Sequence, residues 1–176
     1  MKLYFLRHGQ SNYNVKDLCN SNPKKPVHLT ELGKKQIEKA GEILKNEKLD
    51  IIFVSQFPRT KESAKIINKE RKIKIKIDKR INDRKTGFEG KSYYDYVKAI
   101  EKDKFFIKLK GGESFQEEKK RVFSFLKDLI KRHYNTVLVV THEEIIKIVQ
   151  GYFNNLSDEQ MWKIKVDNGQ LMKFEF

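Results

Sequence analysis

The stretch Leu-Tyr-Phe-Leu-Arg-His-Gly, residues 3–9, passes directly from apolar to polar side chains. Its first four residues form a short apolar run, which is typical of a buried β-strand, and turn-forming polar residues follow. We therefore predict that the first strand ends at Leu6 and that a functional loop begins at Arg7. The fold is then predicted from how often this pattern recurs along the chain.

The same succession of a buried strand, a polar loop and a helix recurs several times. The apolar runs over residues 51–54 and 137–140 predict two more buried strands, the second of which begins at Thr136. Apolar residues at helical spacing predict a further helix after residue 142 and helices over residues 30–48, 58–69, 93–102 and 113–131. Strands that alternate with helices predict an α/β fold, a three-layer sandwich with a mostly parallel central sheet. The length of 176 residues fits a single domain over residues 1–176.

Two further patterns predict the edges of this sheet. Ile73, Ile75 and Ile77 alternate with lysines, which is the period of a half-buried strand, and we expect that strand near a sheet edge. Near the carboxyl terminus, residues 162–166 and 171–176 flank the turn-forming sequence Asp-Asn-Gly. That arrangement predicts a β-hairpin.

The composition argues against several classes of protein. Hydrophobic residues make up 38% of the chain and supply a packed core, which argues against wholesale disorder. The apolar runs are far shorter than the roughly 20 residues of a transmembrane helix, so no membrane association is expected. The amino terminus leaves no room for a secretory signal, and the single cysteine, Cys19, excludes an internal disulfide. We therefore predict a cytoplasmic protein.

The chain is strongly basic, with 38 Lys and Arg residues against 24 Asp and Glu residues and a net charge of +14. Residues 59–85 hold 12 basic and 4 acidic residues, a balance of +8. Such a stretch indicates either a nucleic-acid or polyphosphate surface or simply a solvated, lysine-rich helix and strand. We favour the second interpretation, because aromatic residues do not alternate with these lysines as a single-strand stacking surface requires. No nucleic-acid partner is expected.

Chemically useful side chains follow three of the predicted strands. Arg7 and His8 follow the first strand, Arg59 follows the second, and His142 follows the strand over residues 136–140. Because ligands bind outside the carboxyl ends of parallel strands, these two imidazoles and two guanidiniums are expected to converge. An imidazole nitrogen can attack phosphorus, and guanidinium groups match phosphate oxygens, as phosphoryl transfer requires. His8 is therefore the candidate nucleophile.

Other phosphate chemistries do not fit the spacing of the residues. Cys19 would need an arginine six places later to resemble the cysteine-dependent phosphatases, but that position holds Lys25. Residues 90–92 resemble the end of a phosphate-binding P-loop, whose first glycine is replaced here by Lys85. No cluster of Asp, His or Cys has metal-ligand spacing, so neither a metal nor another cofactor is expected.

Taken together, these motifs resemble the histidine phosphatase superfamily, also called the phosphoglycerate mutase-like fold. Residues 6–14 are similar to its Arg-His-Gly opening, with an Asn five residues after the Gly. Residues 29–33 resemble the segment that opens the superfamily's first helix, and residues 55–64 resemble its serine, its arginine and the helix that follows. Residues 112–114 resemble its Gly-Glu-Ser element, and residues 140–142 resemble the strand end at its second histidine. The resemblance covers most of the chain, from residue 3 to about residue 150.

The resemblance implies a two-step, metal-free phosphoryl transfer. His8 would be transiently phosphorylated, and water would then release phosphate. Arg7, Arg59 and His142 would hold the phosphoryl oxygens, and Asn14 would line the same pocket.

The resemblance also places a proton donor in the loop after the third strand, over residues 81–90. Asp83 fits the donor position best, and Glu89 remains the alternative, because the interval between Gly87 and Glu89 is one residue shorter than the commoner pattern. A second departure is Glu143, at a position where glycine is frequent in the superfamily. Its side chain would either crowd the pocket or point into solvent.

These features predict a phosphomonoesterase of the histidine acid phosphatase type that hydrolyses small phosphorylated metabolites. A cofactor-dependent phosphoglycerate mutase is the first alternative, disfavoured because mutases of the superfamily are usually longer. The second is a catalytically weak phosphate-binding interaction module, disfavoured because His8 and His142 are both present. The variable segment over residues 88–106 is expected to set specificity, and the sequence indicates neither the substrate nor the oligomeric state.

Overall fold

The central sheet contains five strands in the computed structural model, which describes residues 1–175. The strands are β1 (Lys2–Arg7), β2 (Ile51–Val54), β3 (Ile75–Ile77), β4 (Thr136–Thr141) and β5 (Leu171–Glu175). Their spatial order is β3-β2-β4-β1-β5. The first four strands pair in parallel, and β5 pairs antiparallel with β1. The predicted mostly parallel sheet is confirmed.

Helices cover both faces of this sheet. Over the same residues the α-helices are α1 (Glu31–Ile43), α2 (Pro58–Ile67), α3 (Tyr93–Ala99), α4 (Phe115–Ile130), α5 (Glu143–Asn154) and α6 (Asp158–Lys163). Buried residues of α1 and α2 pack against one face, and those of α4, α5 and α6 against the other. α3 packs with Cys19 in a third, smaller cluster. The predicted three-layer sandwich is confirmed.

The side chains of β1 show how one strand supplies two cores. Leu3 and Phe5 belong to the cluster that packs against α4 and α5, whereas Tyr4 and Leu6 belong to the cluster that packs against α1 and α2. Successive side chains of a strand point to opposite faces, and both faces are covered here, so the run is continuously apolar. Each fully buried side chain of this kind contributes about 1.5–3 kcal/mol of stability.

α1 is shorter than predicted, because it ends at Ile43 rather than near Lys48. Beyond the helix end, the guanidinium of Arg71 donates to the carbonyl oxygens of Leu44 at 2.7 Å and Glu47 at 3.1 Å. These bonds satisfy carbonyl groups where the chain leaves the helix. The predicted end of α1 was wrong. It was based on the spacing of apolar residues, which does not reveal a contact from a residue as distant as Arg71.

β3 lies at the predicted sheet edge, but its side chains are more exposed than predicted. Ile75 is 38% exposed and Ile77 is 52% exposed, while Ile73, just before the strand, is partly buried. The strand pairs on one side only, with β2, and neither of its isoleucines belongs to a core cluster. The prediction of a half-buried strand was wrong, because the alternation of isoleucine and lysine does not reveal whether a layer of helices reaches the edge of the sheet.

The first strand of the predicted hairpin, residues 162–166, does not form, because a helix begins just before it. Ser157 and Gln160 make a reciprocal capping box at the start of α6. Trp162, in that helix, packs edge-on against Phe115 with ring centroids 6.2 Å apart. Capping and aromatic packing therefore override the local β-propensity, which is strongly dependent on context.

The turn of that predicted hairpin is present. The N–H of Gln170 donates to the carbonyl of Asp167 at 3.0 Å, and Gly169 has a φ of 75°, which favours glycine. After this turn, β5 pairs with β1 instead of with the preceding segment. The N–H of Gly169 also donates to the carbonyl of His8 at 3.2 Å, so the turn contacts the loop after β1. Residue 176, the end of the predicted second strand, lies outside the described residues.

A close backbone contact places the start of α1 against the same loop. A Cβ on Gly9 would lie 2.2 Å from the carbonyl oxygen of Gly33, and a Cβ on Gly33 would lie 2.1 Å from that of Gln10. Thr30 caps α1 by accepting from the N–H of Gly33 at 3.0 Å, and its own N–H donates to Gln10 at 2.9 Å. Only glycine permits this approach, which constrains the backbone beside His8.

We expect Gly33→Ala to lower the free energy of unfolding by about 1–3 kcal/mol, as overpacking does, because the obstacle is backbone. Gly41→Ala, in the same helix, is the matched control, since its Cβ would meet only Cδ1 of Ile67 at 3.4 Å. Alanine is the better helix former, so this variant should be as stable as the wild type or up to about 1 kcal/mol more stable. Urea unfolding measures both changes, and equal effects would contradict the proposed contact.

Candidate active site

The carboxyl ends of β1, β4 and β2, which are neighbours in the sheet, meet at a pocket of about 370 Å³. All six side chains that the sequence predicts for the site line this pocket, namely Arg7, His8, Asn14, Arg59, Asp83 and His142. The two histidines and Arg59 are almost fully buried. The parallel topology therefore brings together residues that are far apart in the sequence, as expected for this kind of sheet. Their catalytic roles stay a prediction.

The hydrogen bonds of His8 fix the tautomer of its imidazole, in which Nε2 has a lone pair and no proton. This atom accepts a hydrogen bond from Nε of Arg59 at 3.0 Å, and a guanidinium has only donors, so Nε2 carries no proton. The other ring nitrogen, Nδ1, lies 2.8 Å from the carbonyl oxygen of Gly9, to which it donates in this tautomer. The backbone thus orients the ring with the unprotonated nitrogen that attack on phosphorus requires.

A chain of hydroxyl groups orients His142. Its Nδ1 accepts from a terminal nitrogen of Arg59 at 3.2 Å, and its Nε2 donates to Oγ of Ser55 at 2.8 Å. Ser55 Oγ lies 2.7 Å from Oγ1 of Thr60, which donates to the carbonyl of Phe57 at 2.9 Å. Ser55 and Thr60 are both completely buried. The spacing of the sequence motifs does not reveal this positioning role.

Arg59 connects the two histidines to two other groups. One terminal nitrogen donates to Oδ2 of Asp83 at 2.8 Å, and the other donates to Oδ1 of Asn20. The guanidinium also lies 4.6 Å from the ring centroid of Phe57. The guanidinium of Arg59 therefore donates to side chains that line the pocket, and a bound anion could replace some of these acceptors. Planar donor groups of this kind match phosphate oxygens.

The surroundings of both imidazoles oppose their protonation. Burial, reinforced by the positive charge of Arg59, lowers the pKa of both His8 and His142 well below the ordinary value of 6.5. Their ring centroids lie 5.2 Å apart. A neutral pair leaves a nucleophilic nitrogen available at neutral pH, while the neighbouring guanidiniums supply the positive charge.

Glu143 lies on the pocket wall between two cations. Its Oε2 pairs with a terminal nitrogen of Arg7 at 2.8 Å, and its Oε1 pairs with Nζ of Lys147 at 2.8 Å. The same nitrogen of Arg7 also donates to the carbonyl of Val166. The sequence left two possibilities for this side chain, crowding of the pocket or exposure to solvent. The structure shows a third, in which ion pairs hold the carboxylate at the pocket.

The two candidate proton donors have different surroundings. Asp83 lines the pocket, and its Oδ2 lies 3.5 Å from Nδ1 of His142. Glu89 does not line the pocket; its Oε2 accepts from the backbone N–H groups of Ser21 at 2.5 Å and Asn22 at 2.7 Å. Glu89 therefore stabilises a neighbouring loop, and the geometry favours Asp83 as the donor.

Asn14 is oriented by the turn that contains it. Its Oδ1 accepts from both the backbone N–H and the Oγ of Ser11, each at 2.9 Å. Oδ1 also lies 3.5 Å from Nδ2 of Asn168, in the turn before β5. With its oxygen engaged in this way, the amide has its N–H groups left to donate to a bound anion.

Several residues that line the pocket were missed at the sequence level, and Asn20 and Arg84 are two of them. Asn20 accepts from Arg59 in the folded chain, and no spacing rule marks it. The sequence offered one indication that Arg84 lies at the site, namely its position directly after Asp83. Its guanidinium is buried, donates to Glu144 at 2.8 Å and lies 3.7 Å from Glu118, whose carboxyl pKa is raised well above its ordinary range by burial.

Aromatic side chains form another part of the pocket wall. Tyr93 and Tyr96 come from α3, within the variable segment that was expected to set specificity, and Tyr13 comes from the loop after β1. Trp162 of α6 was missed, because its segment was assigned to a strand. Partial desolvation at the pocket wall, together with the negative charges of Glu144 and Glu143, raises the pKa of Tyr93 to about 12.

Over residues 1–175, no group of three or more His, Cys, Asp or Glu side chains is arranged to hold a metal ion. No helix of the described chain combines the length and apolar character that crossing a bilayer requires.

The sequence matches the model of the histidine phosphatase superfamily (branch 1) over residues 3–176. The "Putative phosphoserine phosphatase 2" of Hydrogenobacter thermophilus is 30% identical over 176 residues, which cover 95% of this chain and 85% of that protein. The adenosylcobalamin/alpha-ribazole phosphatase of Escherichia coli is 25% identical over 178 residues, which cover 96% of this chain and 87% of that protein.

The crystal structure of the alpha-ribazole phosphatase from Shigella flexneri has the same fold. It superposes with a TM-score of 0.90 at 24% identity, over 99% of this chain and 90% of that chain. The predicted phosphoglycerate mutase-like fold is therefore confirmed. Since the family model also matches nearly the whole chain, the protein belongs to the histidine phosphatase superfamily (branch 1).

Proposed function

We propose that this protein is a phosphoric monoester hydrolase of the histidine acid phosphatase type, with one catalytic domain over residues 1–176. It acts on small phosphorylated metabolites through a phosphohistidine at His8 and requires no metal. The observation that carries the proposal is the pair of buried, neutral imidazoles of His8 and His142, bridged by Arg59. Membership of the superfamily and the phosphatase names of the two sequence relatives support it. A cytoplasmic location and the absence of a nucleic-acid partner stay predictions.

In the first step, the lone pair on Nε2 of His8 attacks phosphorus while the bond from phosphorus to the ester oxygen breaks. Arg7 and Arg59 donate to the non-bridging oxygens and offset their charge. The negative charge of the bound phosphoryl group favours a proton on Nδ1 of His142, which then donates as well. Ser55 keeps that ring in place by accepting from its Nε2.

Asp83 transfers protons in both steps. In the free site it accepts from Arg59, and when phosphoryl oxygens take over that donor, their charge favours the protonated carboxyl. Asp83 then gives its proton to the leaving oxygen. In the second step its carboxylate takes a proton from water, which attacks phosphorus, and the bond to Nε2 of His8 breaks to release phosphate.

The charges that line the pocket argue against the mutase alternative. A phosphoglycerate mutase has to hold a bisphosphate intermediate, which carries several negative charges. Four cations line this pocket, and four carboxylates offset them: Arg7, Arg59, Arg84 and Lys147 against Asp17, Asp83, Glu143 and Glu144. A pocket without net positive charge is poorly suited to hold such a polyanion. A binding module is disfavoured too, because binding phosphate does not require an unprotonated imidazole nitrogen.

We expect His8→Ala to lower kcat/KM by at least about 10³-fold, because the nucleophile is removed. Purified protein in EDTA is incubated with phosphorylated sugars, phosphoglycerates and nucleotides, and released phosphate is measured. Phosphate release by the wild type alone would support the proposal. Turnover by a folded His8→Ala variant would contradict it, and circular dichroism establishes that the variant is folded.

Asp83→Asn should lower kcat/KM for alkyl phosphates by about 10²–10⁴-fold, the usual contribution of a general acid. Aryl phosphates should lose much less, because their leaving groups need little protonation. Glu89→Gln is the control, since this side chain accepts from a loop backbone and from Nδ2 of Asn20 but does not itself line the pocket, and glutamine keeps an accepting oxygen. Equal losses on both substrate classes, or a larger selective loss in Glu89→Gln, would move the donor away from Asp83.

The His8 ring should stay neutral below the pH at which an ordinary histidine takes up a proton, because its pKa is lowered from 6.5. NMR titration of the labelled ring nitrogens should give a midpoint below 6.5, with the proton on Nδ1 above it. A midpoint at or above this value, or a proton on Nε2, would contradict the tautomer described here. The ring signals that are lost in the His8→Ala variant are thereby assigned to His8.

A further inference from the structure

The contacts of Glu143 connect the position of the phosphoryl group to the pocket wall. Glu143 is the first residue of α5, directly after His142, and its side chain is 31% exposed. One carboxylate oxygen pairs with Arg7 and the other with Lys147, each at 2.8 Å. A phosphoryl group that binds Arg7 therefore arrives next to a fixed negative charge, and the two compete for the same guanidinium.

Lys147 offsets this charge in part, but the other two arginines of the pocket do not. Arg84 is held by Glu144 at 2.8 Å, and Arg59 by Asp83 at 2.8 Å. With His142 and Asp83 both protonated, as in the first step, the charges that line the pocket just balance a dianionic phosphoryl group. A second acidic group on the substrate would give the occupied pocket a net negative charge beside Glu143, whereas an ammonium group would be attracted by that carboxylate.

We propose that Glu143 is a specificity-determining residue that selects phosphate monoesters bearing an ammonium group over those bearing a second acidic group. This inference rests on the proposed phosphatase function and names the charge class of its substrates. Monoesters with an uncharged alcohol part bind with intermediate affinity. Glu143 acts through the repulsion of a second anion and through the attraction of a cation near Arg7.

Three two-carbon alkyl phosphates of similar size test the proposal: phosphoethanolamine, ethyl phosphate and phosphoglycolate. Each is assayed as a competitive inhibitor of 4-nitrophenyl phosphate hydrolysis, so a constant is obtained whether or not the compound is turned over. In the wild type, phosphoethanolamine should inhibit at the lowest concentration and phosphoglycolate at the highest, with a ratio of at least about tenfold.

Two variants at the pocket should change this ratio in opposite directions. Glu143→Gln keeps the size of the side chain and removes its charge, so the ratio should fall about tenfold, and inorganic phosphate should inhibit more strongly. Lys147→Gln removes a cation that pairs with Glu143, so the ratio should rise. Glu42→Gln removes one negative charge from α1, outside the pocket lining, and should leave the ratio unchanged.

The outcomes separate this inference from the proposed function. Absence of 4-nitrophenyl phosphate hydrolysis by the folded wild type would contradict the phosphatase function itself. Hydrolysis without a charge preference among the three inhibitors would overturn the role of Glu143 alone. An inhibition ratio that is unchanged in both Glu143→Gln and Lys147→Gln would also overturn the role of Glu143. If Glu143→Gln does not fold, Lys147→Gln alone supplies the test.

Discussion

The buried guanidinium of Arg59 is the group on which the whole site depends. A charge that is 3% exposed is costly unless its donors are bonded, and here they reach His8, His142, Asp83 and Asn20. These partners come from four separate segments of the chain. Because loss of any one would leave a buried donor unpaired, the loops constrain one another and hold both imidazoles in defined tautomers before substrate arrives.

Backbone contacts supply the second constraint, since they determine where the loop after β1 runs. Gly9 approaches Gly33 so closely that neither position admits a Cβ, and Gly169 donates to the carbonyl of His8. His8 in turn donates to the carbonyl of Gly9 through its own ring. If His8 is the nucleophile, as we propose, main-chain contacts on both sides leave it little freedom to lose on reaction, which is the kind of preorganisation that phosphoryl transfer requires.

Charge is distributed unevenly between the surface of this protein and its pocket. The protein has a net charge of +14, yet the cations and carboxylates that line the pocket are equal in number. The surplus lies instead in residues 59–85 and elsewhere on the surface, where it can raise the local concentration of anions without adding to the binding energy inside the pocket. Glu143, held between Arg7 and Lys147, is the clearest example of this local balance.

The sequence by itself determined the alternating strands and helices, the parallel sheet and the six side chains from Arg7 to His142, because periodicity is local and parallel strand ends meet at one edge. Only the tertiary structure decided the rest. The pairing partner of β5, the exposure of β3, the positions of Asp83 inside the pocket and Glu89 outside it, and the contacts of Asn20 and Glu143 all depend on residues distant in the chain. Such contacts leave no period in the sequence, since their free energy arises only when separate segments pack together.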